Sequence, residues 1–191
     1  MKTKGATAPK KISATAPKPR RNAPKRKPQA RGERVVARRA RIVHDERVRE
    51  LELARQQAGT QSPSIEAIVS AFLAPMFRRL ADGDAGWRHY ASLVSQLDVL
   101  PKFTALASGV LDPTALHFIN ALRLAMPKAP EPSVYWGYMF LLGTMVQVIS
   151  ATGRIERLSR GLCRSDDVDA ALREIVPFVS GGLRALGSES R

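Results

Sequence analysis

Residues 133–153 read "SVYWGYMFLLGTMVQVISATG", a run of twenty-one residues without a charge. That length fits a membrane span, a helix lost inside a protein core, or half of a subunit interface. Thr144, Gln147, Ser150 and the interior glycines Gly137 and Gly143 make it a poor bilayer segment. The flanks point the same way, because Glu131 and Pro132 precede it and Arg154, Glu156 and Arg157 continue its pattern. A helix is expected from Ser133 to about Ser159. A helix that is apolar all round must be covered all round. On a helical projection Trp136, Phe140, Gly143, Gln147 and Ser150 form one face, and Tyr138, Leu141, Met145, Val148 and Thr152 another.

The neighbouring segments supply the cover. Residues 33–58 carry Val36, Ala40, Val43, Leu51 and Ala54 at helical spacing and end at Gly59. Ser62 is expected to cap a helix opening at Pro63, with Ile65, Ile68, Val69, Phe72, Leu73, Met76 and Phe77 turned to a core and a kink at Pro75. Trp87, Tyr90, Leu93, Val94 and Leu97 mark the next helix, and Pro101 opens a short one through Phe103 and Leu106. "LDPTALHFINALRLAMP" follows, with Asp112 as its expected cap and Pro113 at its first position. A last helix is expected at "SDDVD", capped by Ser165, with Val168, Leu172, Ile175, Val176, Val179, Leu183 and Leu186 as its stripe. No segment alternates as a strand, so the fold class is all-α.

Charge divides the chain. Residues 1–31 hold eleven Lys and Arg and no acid, against a formal net charge of +14 for the whole, so the remainder carries only +3. Residues 1–32 have almost nothing to bury and are expected to be a disordered basic tail. Lys10, Lys11, Arg20, Arg21, Lys25, Arg26 and Lys27 are its candidate contacts to nucleic acid, through phosphates and without reading sequence. Residues 188–191 are expected to be a disordered C-terminus.

Catalytic chemistry finds no foothold. His44, His89 and His117 stand in no ligand-like spacing, and neither a phosphate-binding loop nor a dinucleotide fingerprint is present. No metal, cofactor or catalytic residue is assigned. Cys163 is the single cysteine, which excludes an intrachain disulfide and fits a reducing cytoplasm. Aromatic and methionine side chains, by contrast, recur on consecutive helices and suit an adaptable apolar cavity.

Taken together, "SIEAIVSAFLAPMFRRLADGDAGWRHYASLVSQL", "DPTALHFINALRLAMP", "YWGYMFLLGTMV" and "TGRIERLSRGLCRSDDVDAALREIVPF" resemble the C-terminal domain of TetR/AcrR-type bacterial transcriptional regulators, over about residues 35–187. The resemblance implies a cytoplasmic homodimer that binds a small, often apolar effector, with residues 33–58 as the connector helix and 59–187 as the ligand-binding and dimerisation domain. It implies that the last two helices pair with their copies as a four-helix bundle. Nothing resembles the family's helix-turn-helix, so an internal loss near Arg34 and Val35 is expected.

On this basis the pocket candidates are Phe72, Met76, Trp87, Tyr90, Phe103, Phe118, Leu122, Trp136, Phe140 and Gln147. The dimer candidates are Tyr138, Leu141, Met145, Val148, Thr152, Leu172, Ile175, Val179 and Leu183. Two other roles remain open: a small basic DNA-associated protein acting through its tail, and a partner forming heterodimers with intact relatives. Sequence-specific DNA binding is not expected without a reading helix.

Overall fold

The computed structural model describes residues 28–97 and 111–188, and within these every regular element is helical. We number them α1 (Pro28–Ala58), α2 (Ile65–Ala81), α3 (Ala85–Leu97), α4 (Asp112–Ala125), α5 (Glu131–Ile149), α6 (Arg154–Leu158) and α7 (Val168–Ser188). Phe103 and the basic residues Lys10 to Lys27 lie outside the described residues. Helix α1 runs unbroken through Arg34 and Val35.

Helix α2 is the centre of the bundle. Ile68, Val69, Phe72, Leu73, Met76 and Phe77 are buried along it, and it packs against α1, α4 and α7. Phe72, Phe77 and Phe118 are among the largest fully buried side chains. Burying such a side chain contributes about 1.5–3 kcal/mol, so this cluster is a main source of stability. Phe118 meets Phe72 edge to face at 5.1 Å, and Tyr138 meets Phe72 likewise at 5.7 Å. These contacts tie α2, α4 and α5 together.

Besides the start of α1 at Pro28, inside the expected tail of residues 1–32, helix ends depart from expectation in four places. The cap of α2 is Ser64, whose hydroxyl accepts from the Ala67 amide, while Ser62 donates to the Leu124 carbonyl instead. Helix α4 starts after Leu111 with no side-chain cap, so Asp112 is its first residue. Asp167, rather than Ser165, accepts from the Ala170 amide at the head of α7. Ser165 is held by Glu156, which accepts from both its amide and its hydroxyl, each at 2.6 Å.

The fourth departure concerns the uncharged run. Helix α5 ends at Ile149, ten residues short of the expected end, and the chain turns through Ala151 and Gly153 at positive φ before the short helix α6. Alanine pays a steric cost in that region, so the turn is held by its surroundings. No described helix is long and apolar enough to cross a membrane.

Helices α5 and α7 lie side by side. At Gly137 a Cβ would stand 2.5 Å from Leu183 Cδ2, so the approach depends on the missing side chain. Leu141, Ile175, Val179 and Leu183 are consequently core residues of one chain, and the dimer role expected for them is corrected by their burial.

Candidate functional site

A cavity of about 220 Å³ opens between α1, α2, α3, α4 and α5. Its wall includes Val43, His44 and Arg47 from α1, Phe72 and Met76 from α2, and Tyr90 and Val94 from α3. Leu111, Asp112, Thr114 and Ala115 close it at the start of α4, and α5 contributes Tyr138, Met139, Leu142, Met145 and Ile149. An apolar site of 150 Å³ already holds a benzene ring, so this one suits a compact molecule somewhat larger than one ring.

The polar groups are few and placed by helix register. Val43, Arg47 and Leu51 follow one another four apart on the buried stripe of α1, so the fold carries a guanidinium inward with the apolar residues. Arg47 is only 6% exposed. Its Nε donates to the Phe72 carbonyl at 2.7 Å and its terminal nitrogen to Met145 Sδ at 3.0 Å. The guanidinium lies 4.0 Å over the Phe72 ring. Pro75 offers no amide to Ala71, which loosens this turn of α2 beside the Phe72 carbonyl that Arg47 reaches.

Desolvation disfavours the charged form of Arg47 and lowers its pKa to about 10. Burial also pushes the Tyr90 phenol up to about 12, partly opposed by the nearby positive charge of Arg47. Tyr90 therefore keeps its proton as a donor at neutral pH. His44, also buried, is hydrogen-bonded through Nδ1 to Thr114 Oγ1 at 2.9 Å.

Of the residues singled out from sequence, Phe72, Met76 and Tyr90 line the cavity. Phe118 and Leu122 lie behind it in the core. Trp87 packs edge-on against Tyr90 at 5.6 Å, with the guanidinium groups of Arg39 and Arg79 4.6 and 5.3 Å from its ring, which makes it a junction of α1, α2 and α3.

The two faces of α5 are exchanged relative to the projection. Tyr138 and Met145 wall the cavity, whereas Trp136 (61% exposed), Phe140 (58%) and Gln147 face outward. The physical reason is close packing at Gly137, which turns the adjoining Tyr138–Leu141–Met145 side inward. Val148 and Leu172 are half-buried against the core, and Thr152 is exposed in the turn after α5.

Sequence reasoning missed His44 and Arg47. The signal for Arg47 was available: the stripe Val36, Ala40, Val43, Leu51, Ala54 skips one turn, and Arg47 occupies it. Among the described residues no cluster of His, Cys, Asp and Glu could hold a metal ion, and Cys163 is exposed.

The family model described as the tetracyclin repressor-like C-terminal domain matches residues 70–182, more than half of the chain. The chain belongs to that family. No curated protein sequence matches it significantly. The TetR-family match takes in α3 to α6 and most of α2 and α7, and therefore four of the five helices around the cavity at least in part. The fifth, α1, lies outside it and contributes the buried arginine.

Proposed function

We propose that this TetR-family domain is the sensing part of a transcriptional regulator, binding a small organic effector in the cavity between α1 and α5. The observation that carries the reading is the composition of that wall. Apolar and aromatic side chains from five helices converge with a few buried polar groups, the usual make-up of a ligand site. Because α1 supplies Val43, His44 and Arg47, occupancy would be felt directly by the helix that serves as connector in this family.

We infer a homodimer through the outward faces of α5 and α7. Tyr135, Trp136 and Phe140 on α5 and Phe178 on α7 are exposed large apolar side chains on two adjacent helices. Trp136 and Phe140 stack with centroids 6.0 Å apart. Gly143, Gly181 and Gly182 have open space where a Cβ would stand, which leaves room for a second pair of helices to approach. An exposed apolar patch of this kind marks an interaction site.

Native mass spectrometry of the purified full chain tests both parts. The expected spectrum is a dimer carrying a co-purifying organic molecule; an empty monomer at micromolar concentration that also binds no small molecule would end this reading. A second role, salt-sensitive attachment to DNA, is favoured by the eleven basic residues within residues 1–31. Deleting residues 1–32 should abolish nucleic-acid binding and leave dimerisation and ligand binding intact.

A further inference from the structure

We propose that the effector is an amphipathic carboxylate, its anionic head paired with the Arg47 guanidinium and its apolar body laid against Met76, Val94, Leu142 and Ile149. The inference rests on the reading of the cavity as an effector site and names the chemistry that site selects.

Arg47 is buried on the cavity wall, and its described partners are a carbonyl and a thioether, neither of them charged. Every ion pair found among the described residues joins other groups: Arg39, Arg55, Arg78, Arg79, Arg123, Arg164 and Arg184 each have a carboxylate, and Arg47 has none. A buried charge is ordinarily compensated by an opposite one, because desolvation is costly. A guanidinium on a cavity wall with no ion pair among the described residues is poised to take a carboxylate from a ligand.

The donors present also fit the head group. A guanidinium offers five N–H groups in a planar fork that matches a carboxylate in two-pronged fashion. Two of its nitrogens are engaged by Phe72 and Met145, and the thioether is a weak acceptor that a carboxylate readily displaces. Tyr90, protonated at neutral pH, stands on the same wall.

The charge balance of the wall favours a singly charged anion. Among the described lining residues Arg47 is the one guanidinium, and Asp112, exposed on α4, would repel a more highly charged ligand such as a phosphate ester more strongly than a single carboxylate. His44 is engaged with Thr114.

The apolar remainder sets the body. Met76 and Ile149 are buried, and Val94 and Leu142 are half-buried against the same core. The cavity volume limits that body to roughly one ring or a short chain.

Benzoate and hexanoate, each against its primary amide, are the probes, titrated calorimetrically at neutral pH into the full chain and into Arg47→Gln and Arg47→Lys. The wild type should bind each carboxylate at least about tenfold more tightly than the amide, the size expected of a charge-assisted hydrogen bond. Arg47→Gln should erase that preference, and Arg47→Lys should keep part of it. Equal or tighter amide binding by the wild type overturns the anion inference and leaves the cavity reading standing. A carboxylate preference that survives in Arg47→Gln overturns it as well. Failure of all four probes to bind overturns both. The comparison within the wild type decides the matter even if a variant does not fold.

Discussion

Helix α5 has two sides of nearly equal hydrophobicity and opposite fates. Tyr138, Leu141, Met145 and Ile149 are buried against α2, α7 and the cavity, whereas Tyr135, Trp136 and Phe140 stand in solvent within one chain. The difference is not in residue type, since the outward side has the larger aromatic surface. It comes from what lies opposite: Gly137 admits Leu183 on one side, and around Gly143 the space is open. Apolar character reports that a surface must be covered, and only the neighbouring helices report whether the cover belongs to the same chain.

The largest effect that would sharpen this contrast is on stability. Leu141→Ala should cost about 2–5 kcal/mol in urea unfolding, because a fully buried leucine leaves a cavity. Trp136→Ala should cost far less when unfolding is followed at concentrations where the chain is monomeric; a loss as large as that of Leu141→Ala would mean that the outer side is not outer at all.

Association comes next. The double substitution Trp136→Glu and Phe140→Glu should raise the dimer dissociation constant by roughly a hundredfold or more, with helical circular dichroism retained. Light scattering coupled to size exclusion reads this directly, and an unchanged dimer would move the interface elsewhere.

The two glycines of the helix give a smaller test. Gly137→Ala should destabilise by about 1–3 kcal/mol, because Leu183 must be displaced. Gly143→Ala, where nothing lies within 4 Å, should stabilise the monomer by up to about 1 kcal/mol through helix propensity. Similar signs for both would erase the distinction between the sides.

The smallest effect is alkaline. The Tyr90 pKa is raised to about 12 in the folded state from an ordinary value of 10.0, so the folded protein keeps a proton that the unfolded chain loses. Its stabilising contribution is complete below pH 10 and is lost as pH rises through about 12. Tyr90→Phe should flatten the decline of stability over that window relative to the wild type.

Much of the architecture was legible because helices announce themselves by local periodicity. The stripes of α2 and α7, Ile68 to Phe77 and Ile175 to Leu183, are buried where their spacing placed them. Helix ends were less legible, since Ser62 and Ser64, or Ser165 and Asp167, are equivalent cap types within two residues of each other. Which hydroxyl or carboxylate faces the free amides depends on how the preceding loop arrives. The cavity was half legible: Phe72, Met76 and Tyr90 carried an aromatic or sulfur signal, whereas Arg47 and His44 look like ordinary polar residues of a charged helix until α2, α4 and α5 close over them.

The sequence by itself determined that this chain is helical, that its basic charge is concentrated at one end, and that residues 133–153 needed cover on every side. Periodicity, composition and charge are local properties and suffice for those conclusions. Tertiary structure decided which side of α5 faces the chain's own core, where the uncharged run breaks, and that one arginine of α1 is buried beside a cavity. These depend on the approach of helices distant in sequence, Gly137 to Leu183 and Arg47 to Phe72 and Met145, and no spacing within a single helix encodes them.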